Sequence, residues 1–445
     1  MKRILLLGAG LSASSLIKYL LDHAQDNNWE VVIGDLNLEM AKKKVNGSPN
    51  GSAVLFDINN EDLRHIEIEK ADVVISMLPA KMHPIVAQDC VNFGTHMITA
   101  SYVSPEMIKL DAAAKEKGIA LYNELGVDPG IDHMSAMKII DDIRKKGGKL
   151  VSFKSNTGGL VAPESDNNPW HYKFTWNPRN VVLAGQGVSQ FIRNGMLKFI
   201  PYNQLFKRVQ NTSVLNYGDF EIYANRDSLS YRETYELQDI PTIFRGTMRR
   251  PGYCEAWDVF VQLGATDDTY TIKKCNQLTY RDFINSFLKY ETEIPVEKKL
   301  CDYLGLDPNG EVMKKLIWLG IFENKQIEFE EATPAQILQK ILEDKWSLDP
   351  NDKDMIVMQH KIEYELEGKL REITSSMVVI GQDTVHTAMS ITVGIPVAIA
   401  TKLLLTGVFD FAGVHVPTKP FMYEPILKEL EDYNIKFIEE ERIIG

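Results

Sequence analysis

The sequence predicts an α/β protein: a parallel-sheet domain, an α+β domain and a small helical domain. Three observations carry this. At 445 residues the chain exceeds the roughly 250–300 residues that one core usually spans, so two or three domains are expected. Ile4–Leu7 is a short, fully apolar run that breaks at a glycine turn into apolar residues at helical spacing, and short apolar runs recur up to His96–Thr99. From Tyr280 to Glu343 the apolar residues keep a helical period.

The first turn reads Gly8, Ala9, Gly10, Leu11, Ser12, Ala13, and Leu16, Ile17, Leu20 and Leu21 follow it on one helix face. This is the strand, glycine turn and helix of a Rossmann-type dinucleotide site. Gly8 permits the tight turn, Gly10 lets backbone approach a pyrophosphate, and Ala13 lets the helix pack on the strand. The next strand, Val31–Ile33, ends at Asp35, where a carboxylate can accept from the adenosine ribose hydroxyls and repel a 2′-phosphate. Asp35 therefore favours NAD, while Lys42, Lys43 and Lys44 keep NADP open. Val54–Phe56 ends at Asp57, beside the expected adenine. Asp72–Ser76 is a fourth strand that places Ser76 and Met77–Pro79 at the ligand end of the sheet. His96–Thr99 leads into Ala100, Ser101 and Tyr102. Residues 1–127, with about 395–445, are assigned to this domain.

The loop from Tyr122 to Gly130 carries Glu124, Asp128, a rigid Asp128-Pro129 step, Gly126 and Gly130, and it enters a helix expected over Ile131–Lys145. Asp132 can cap that helix. A structural turn explains Pro129 and the glycines; a proton-transfer role explains the acids.

Composition narrows the function classes. Forty-nine basic against 61 acidic residues give a net charge of −12, which is the wrong sign for a general binder of nucleic acid or acidic membrane. Cys90, Cys254, Cys275 and Cys301 form no Cys-x-x-Cys pair, so a reduced, cytoplasmic location is expected. The basic, apolar start resembles a leader, but its continuous apolar run stops at Gly8, so no export is expected. Ile391–Phe409 is interrupted by Pro396, Lys402 and Thr406 and reads as a buried helix, not a membrane span.

Residues 128–279, with about 345–394, form the expected α+β domain, in which Glu255–Leu263 reads as a strand. Residues 280–344 form the helical domain. Residues 378–394 precede a helix expected from Pro396 to Leu405, and an amphipathic, acidic stretch over 420–445 is expected to complete the first domain.

Several motifs then occur in a fixed order: Ala100–Pro105, Leu125–His133, Gly158–Glu164, Tyr172–Trp176, Asn225–Ser228, Arg245–Arg249 and Thr392–Ala400. Together they resemble the glutamate-forming saccharopine dehydrogenases, or saccharopine reductases, over nearly the whole chain. The resemblance implies oxidation of the secondary amine of saccharopine with a nicotinamide cofactor, NADP being common in the family, and hydrolysis of the imine to glutamate and 2-aminoadipate 6-semialdehyde. The substrate carries several carboxylates, which Arg226 and Arg249, the latter in a turn over Arg245–Arg249, can meet with paired hydrogen bonds. It further implies substrate contacts at Ser101, Tyr102, Asp128, Arg226, Thr247, Met248 and Arg249. The implied cofactor contacts are Gly8, Gly10, Leu11, Ser12, Ala13, Asp57, Ser76, Asp128, Pro129, Gly130, Ile131 and Trp176, to which the ribose reading adds Asp35. The resemblance also implies that residues 378–394 and the helix from Pro396 to Leu405 return towards the first domain.

For proton transfer the expected groups are Asp128 and Tyr102, with His133 as the alternative base. Asp128, Asp132 and His133 could in principle ligate a divalent ion, but amine dehydrogenation needs no metal and none is expected. The chain departs from the family at Asp35-Leu36-Asn37, where NADP users place an arginine. It departs again at Asn156-Thr157, where relatives have Tyr-Cys. Competing readings are a related opine-like or carboxypolyamine dehydrogenase and a non-catalytic nucleotide sensor. A homodimer is a possible assembly.

Overall fold

The computed structural model describes residues 1–445, which divide into two compact units: 1–148 with 377–438, and 149–376 with 439–445. The first unit is built on a seven-stranded sheet in the order Gly413–His415, Ala120–Tyr122, His96–Thr99, Val73–Ser76, Lys2–Leu7, Trp29–Asp35, Gly51–Leu55. Every pairing is parallel. Ile4–Leu7 and Val73–Ser76 are buried on both faces, as strands covered by helices on either side must be. The chain leaves Lys2–Leu7 in one direction and returns on its other side at Val73–Ser76, and such a reversal opens a crevice at the strands' carboxyl ends. Gly8 and Met77 lie there: a Cβ on Gly8 would stand 2.9 Å from the Met77 carbonyl oxygen.

The helix expected over Ile131–Lys145 has those bounds. Two other expectations change. The helix thought to start at Pro396 begins at Ala388, with Thr387 as its cap, and runs through Pro396 to Leu405. Its burial explains this, because Gly394 packs so closely on helix Ser14–Asn27 that a Cβ would stand 2.9 Å from Leu16 N. Such packing offsets the lost proline N–H. The unit boundary also moves: 128–148 and 377–394 belong to the first unit, because helices Ile131–Lys145 and Ala388–Leu405 both pack against helix Pro420–Leu430.

The second unit holds a nine-stranded mixed sheet. Its main path runs Gln210–Ser213, Asp219–Ala224, Thr242–Arg249, Lys149–Val161, Asp354–Leu366, Lys369–Ile380, Ile438–Ile443, and the hairpin Val188–Arg193/Met196–Pro201 branches from Thr242–Arg249. The segment read as an arginine turn is thus a central strand, antiparallel to Asp219–Ala224 and parallel to Lys149–Val161. Gly246 permits the fit, since a Cβ there would stand 2.2 Å from Ile222 Cγ2.

The stretch read as a strand after it is a helix, Tyr253–Leu263. Tyr253 and Trp257, one turn apart, stack at 5.7 Å, a contact that the helical period permits and an alternating strand does not. The expected helices after Tyr280 are present as Tyr280–Ser286, Val296–Leu304, Glu311–Trp318 and Pro334–Trp346. They belong to the second unit, to which Trp346 joins them through ring contacts with Trp170, Tyr172 and Phe174. Residues 439–445, assigned above to the first domain, also belong here: Tyr364 donates to Glu441 at 2.6 Å and Arg442 to Glu372 at 2.9 Å.

Candidate active site

In the first unit the glycine loop follows strand Lys2–Leu7 directly. Gly8 has φ +101°, a conformation that glycine adopts without strain, and its N–H donates to Gly34 O at 2.8 Å. Gly10 differs, with an ordinary φ of −64° and no atom within 4 Å of where a Cβ would stand. Backbone geometry does not demand glycine there, whereas a ligand lying against the backbone would. The expected helix opens with one 3₁₀ turn, Leu11–Ala13, and becomes α-helical at Ser14. Leu11 is exposed, and Ala13 is buried. Asp35 closes the loop from the neighbouring strand: its Oδ2 accepts from Ala9 N–H and its Oδ1 from Asn37 N–H, each at 2.7 Å.

Asp57 caps its own turn, accepting from Asn59 N–H at 2.9 Å. Ser76 lies at the strand end as expected, but it is fully buried and its Oγ is 2.8 Å from His83 Nδ1. Its hydroxyl is committed to that histidine, whose pKa burial lowers to about 4. Sequence reasoning missed His83, because nothing in the spacing marks it as the partner of Ser76.

The third cluster joins two loops. Glu124 N–H donates to Ser101 O at 3.0 Å and Leu125 N–H to Thr99 O at 3.2 Å. The Tyr102 phenol donates to Asp128 Oδ1, also at 3.0 Å. Asp128 is half-buried, and the turn that carries it is closed by Gly126 N–H to Pro129 O at 2.9 Å and Ile131 N–H to Gly126 O at 2.9 Å. Gly130 cannot be replaced here, since a Cβ would stand 2.1 Å from Gly126 O. Asp132 is fully buried and accepts from Gly130 N–H at 2.6 Å. His133, the alternative base, is buried with Nε2 2.7 Å from Glu124 Oε2.

The second unit carries the cationic residues. Arg226 is exposed in the turn after strand Asp219–Ala224, with φ +31°. Thr247, Met248 and Arg249 end the neighbouring strand, so alternation sends Met248 to the face opposite the other two. Arg249 is 4% exposed and lies within 5.1, 5.8 and 5.3 Å of the ring centres of Tyr172, Tyr223 and Tyr253. Its Nη1 donates to Met248 O at 2.9 Å, whereas its buried Nε has no partner. Burial opposes the charge, yet the facing phenols more than offset it, and the pKa moves up. The same burial raises all three tyrosines. A buried guanidinium in an aromatic pocket with an unsatisfied donor forms a socket that can accept a carboxylate. Trp176, half-buried, lies just beyond Tyr172–Thr175.

Comparison with known proteins shows the family of the chain. Residues 4–121 match the family described as "Saccharopine dehydrogenase NADP binding domain", and residues 126–435 match "Saccharopine dehydrogenase C-terminal domain". The chain is 34% identical over 449 residues to saccharopine dehydrogenase (NADP(+), L-glutamate-forming) of Schizosaccharomyces pombe, covering 99% of each. It is 33% identical to the mitochondrial alpha-aminoadipic semialdehyde synthase of Mus musculus, covering 98% of this chain and 47% of that protein. The solved structure of apo histidine-tagged saccharopine dehydrogenase (L-Glu forming) from Saccharomyces cerevisiae superposes with a TM-score of 0.90 at 30% identity, covering 99% of this chain and 100% of that one. The crevice at Gly8, the Tyr102–Asp128 pair and the Arg249 socket thus lie in a chain matched from end to end, which belongs to the saccharopine dehydrogenase family.

Proposed function

We propose that this protein oxidises the secondary amine of saccharopine to yield glutamate and 2-aminoadipate 6-semialdehyde, and catalyses the reverse reduction. The observation that carries this reading, beside the end-to-end match to enzymes named for that reaction, is the Arg249 socket. It suits a substrate with several carboxylates and is superfluous in a nucleotide sensor.

When bound, a nicotinamide dinucleotide accepts the hydride. Gly8, Gly10, Leu11, Ser12 and Ala13 would hold its pyrophosphate and Asp35 its adenosine ribose; the open space at Gly10 supports this fit. Relatives are named for NADP(+), while Asp35 supports NAD in this chain. Asp57 would meet the adenine, and the Asp128–Ile131 turn would add further contacts to the cofactor. Ser76 contributes through its backbone, since His83 engages its hydroxyl.

The substrate's carboxylates are the proposed ligands of Arg226, Thr247 and Arg249, and its amine is the proposed partner of Ser101 and Tyr102. Asp128, with Tyr102 hydrogen-bonded to it, takes the amine proton as the carbon–nitrogen bond is oxidised. Water then adds to the imine, the C–N bond breaks, and glutamate leaves with the nitrogen.

Four buried, free cysteines support a reducing, cytoplasmic location. Exposed Met196, Leu197 and Phe199 on the branching hairpin support a homodimer.

A crossed assay tests the reading: saccharopine and carboxynorspermidine, each with NAD and NADP. Reduced-nicotinamide absorbance should rise with saccharopine alone. A rise with carboxynorspermidine instead would assign the polyamine branch, and dinucleotide binding without turnover of either would assign a sensor.

A further inference from the structure

Tyr102 is 51% exposed, so the ring depends on its loop for orientation. That loop is tied down immediately beside it. The Val103 N–H donates to Glu124 Oε1 at 2.9 Å, and Ser101 O accepts from Glu124 N–H at 3.0 Å. Glu124 therefore grips the backbone on both sides of Tyr102. Its second carboxylate oxygen, Oε2, is 2.7 Å from His133 Nε2, in the first turn of helix Ile131–Lys145. Glu124 and His133 are 6% and 1% exposed. A buried carboxylate is stable only when its lone pairs are engaged, and here both oxygens are.

Glu124 also has φ +60°, a left-handed conformation that is strained for a non-glycine residue and persists where the surroundings enforce it. The conformation lets one residue point its side chain at Val103 and His133 while its N–H meets Ser101. Asp128 belongs to the turn that opens the same helix, with Gly126 O accepting from Ile131 N–H and Val127 O from Asp132 N–H. His133 and Asp128 are thus fixed to one rigid element, and Glu124 couples the Tyr102 loop to it.

We propose that Glu124 and His133 are positioning residues for this reaction: the buried pair clamps the loop around Tyr102 to the helix behind Asp128 and so sets the distance between phenol and carboxylate. The proposal rests on the assignment of proton transfer to Tyr102 and Asp128. It predicts that Glu124 acts through Tyr102, whereas a general stabilising residue would act independently of it.

The test is a double-mutant cycle on the full chain with Glu124→Ala, Glu124→Gln, Tyr102→Phe and the paired variant. Glu124→Ala should lower kcat for saccharopine by about tenfold or more, with the dinucleotide Kd, read by nicotinamide fluorescence, changed by less than about twofold. In the Tyr102→Phe background the same substitution should cost less than about threefold. Glu124→Gln keeps an acceptor for Val103 N–H and can donate to His133, so it should restore most of the rate; it also serves if the alanine variant fails to fold.

Equal losses in the two backgrounds would overturn the proposal. So would a crystal structure of Glu124→Ala in which the phenol still sits 3.0 Å from Asp128, a readout independent of turnover. Absence of saccharopine turnover in the unmodified protein would instead count against the functional reading, and that crystal structure would still decide whether Glu124 sets the pair.

Discussion

Asp35 Oδ2 accepts from Ala9 N–H at 2.7 Å, so the end of the second strand is bonded into the glycine loop that follows the first. One carboxylate both braces the loop and stands where the ribose is expected, and its remaining lone pairs can accept from hydroxyls. Asp35→Ala should weaken NADH binding by about tenfold, as for loss of a charge-assisted hydrogen bond, and weaken NADPH binding less or strengthen it. Titration with each reduced cofactor checks this. An equal loss for both would leave Asp35 with the bracing role alone.

Gly8 and Gly10 should respond differently to alanine. Gly8→Ala forces a side chain into φ +101° and against the Met77 carbonyl, so it should lower Tm. Gly10→Ala meets no protein atom and should leave Tm within about 1 °C while raising the dinucleotide Kd about tenfold or more. Parallel thermal melts and fluorescence titrations separate the two; a Gly10→Ala variant that binds normally would remove the pyrophosphate assignment.

Arg226→Ala and Arg249→Met should each raise KM for saccharopine by about tenfold or more, the range expected when a carboxylate loses a charged hydrogen-bond donor. Dinucleotide Kd should stay unchanged. Methionine fills much of the space between Tyr172, Tyr223 and Tyr253, so Arg249→Met tests charge with little loss of packing. Losses of equal size for substrate and cofactor would sink the carboxylate role.

His83 makes a prediction about stability. Its pKa falls from 6.5 to about 4 on folding because burial disfavours the charged ring. Between those values the unfolded chain binds a proton that the folded chain does not, so stability drops as pH falls from 6.5 and levels off below about 4. The slope approaches about 1.4 kcal/mol per pH unit, for a total on the order of 3 kcal/mol. His83→Gln should flatten that part of the stability–pH curve in chemical denaturation. An unchanged slope would show that other groups set it.

Much of the first unit was legible from local pattern. The glycine turn, the carboxyl-end positions of Asp35 and Ser76, and the helix Ile131–Lys145 follow from periodicity and turn chemistry, which act over a few residues. The errors lie where distant packing outweighs local preference. Pro396 reads as the start of one helix, yet that helix begins at Ala388 and runs through the proline, where Gly394 packs closely on Leu16. Arg245–Arg249 reads as a turn, yet two flanking strands make it central. Glu255–Leu263 reads as a strand, yet Tyr253 stacks on Trp257 one helical turn away.

The sequence alone determined that this is an α/β dinucleotide-binding chain of the saccharopine dehydrogenase type, because strand–turn–helix signals and ordered motifs are written in contiguous residues. Only the tertiary structure decided which groups are paired. That Ser76 is held by His83, that Arg249 stands among three tyrosines with an unsatisfied Nε, and that Glu124 joins Val103 to His133 depend on residues brought together by folding. Burial then fixes their chemistry, since a polar group removed from water must find its partner within the fold.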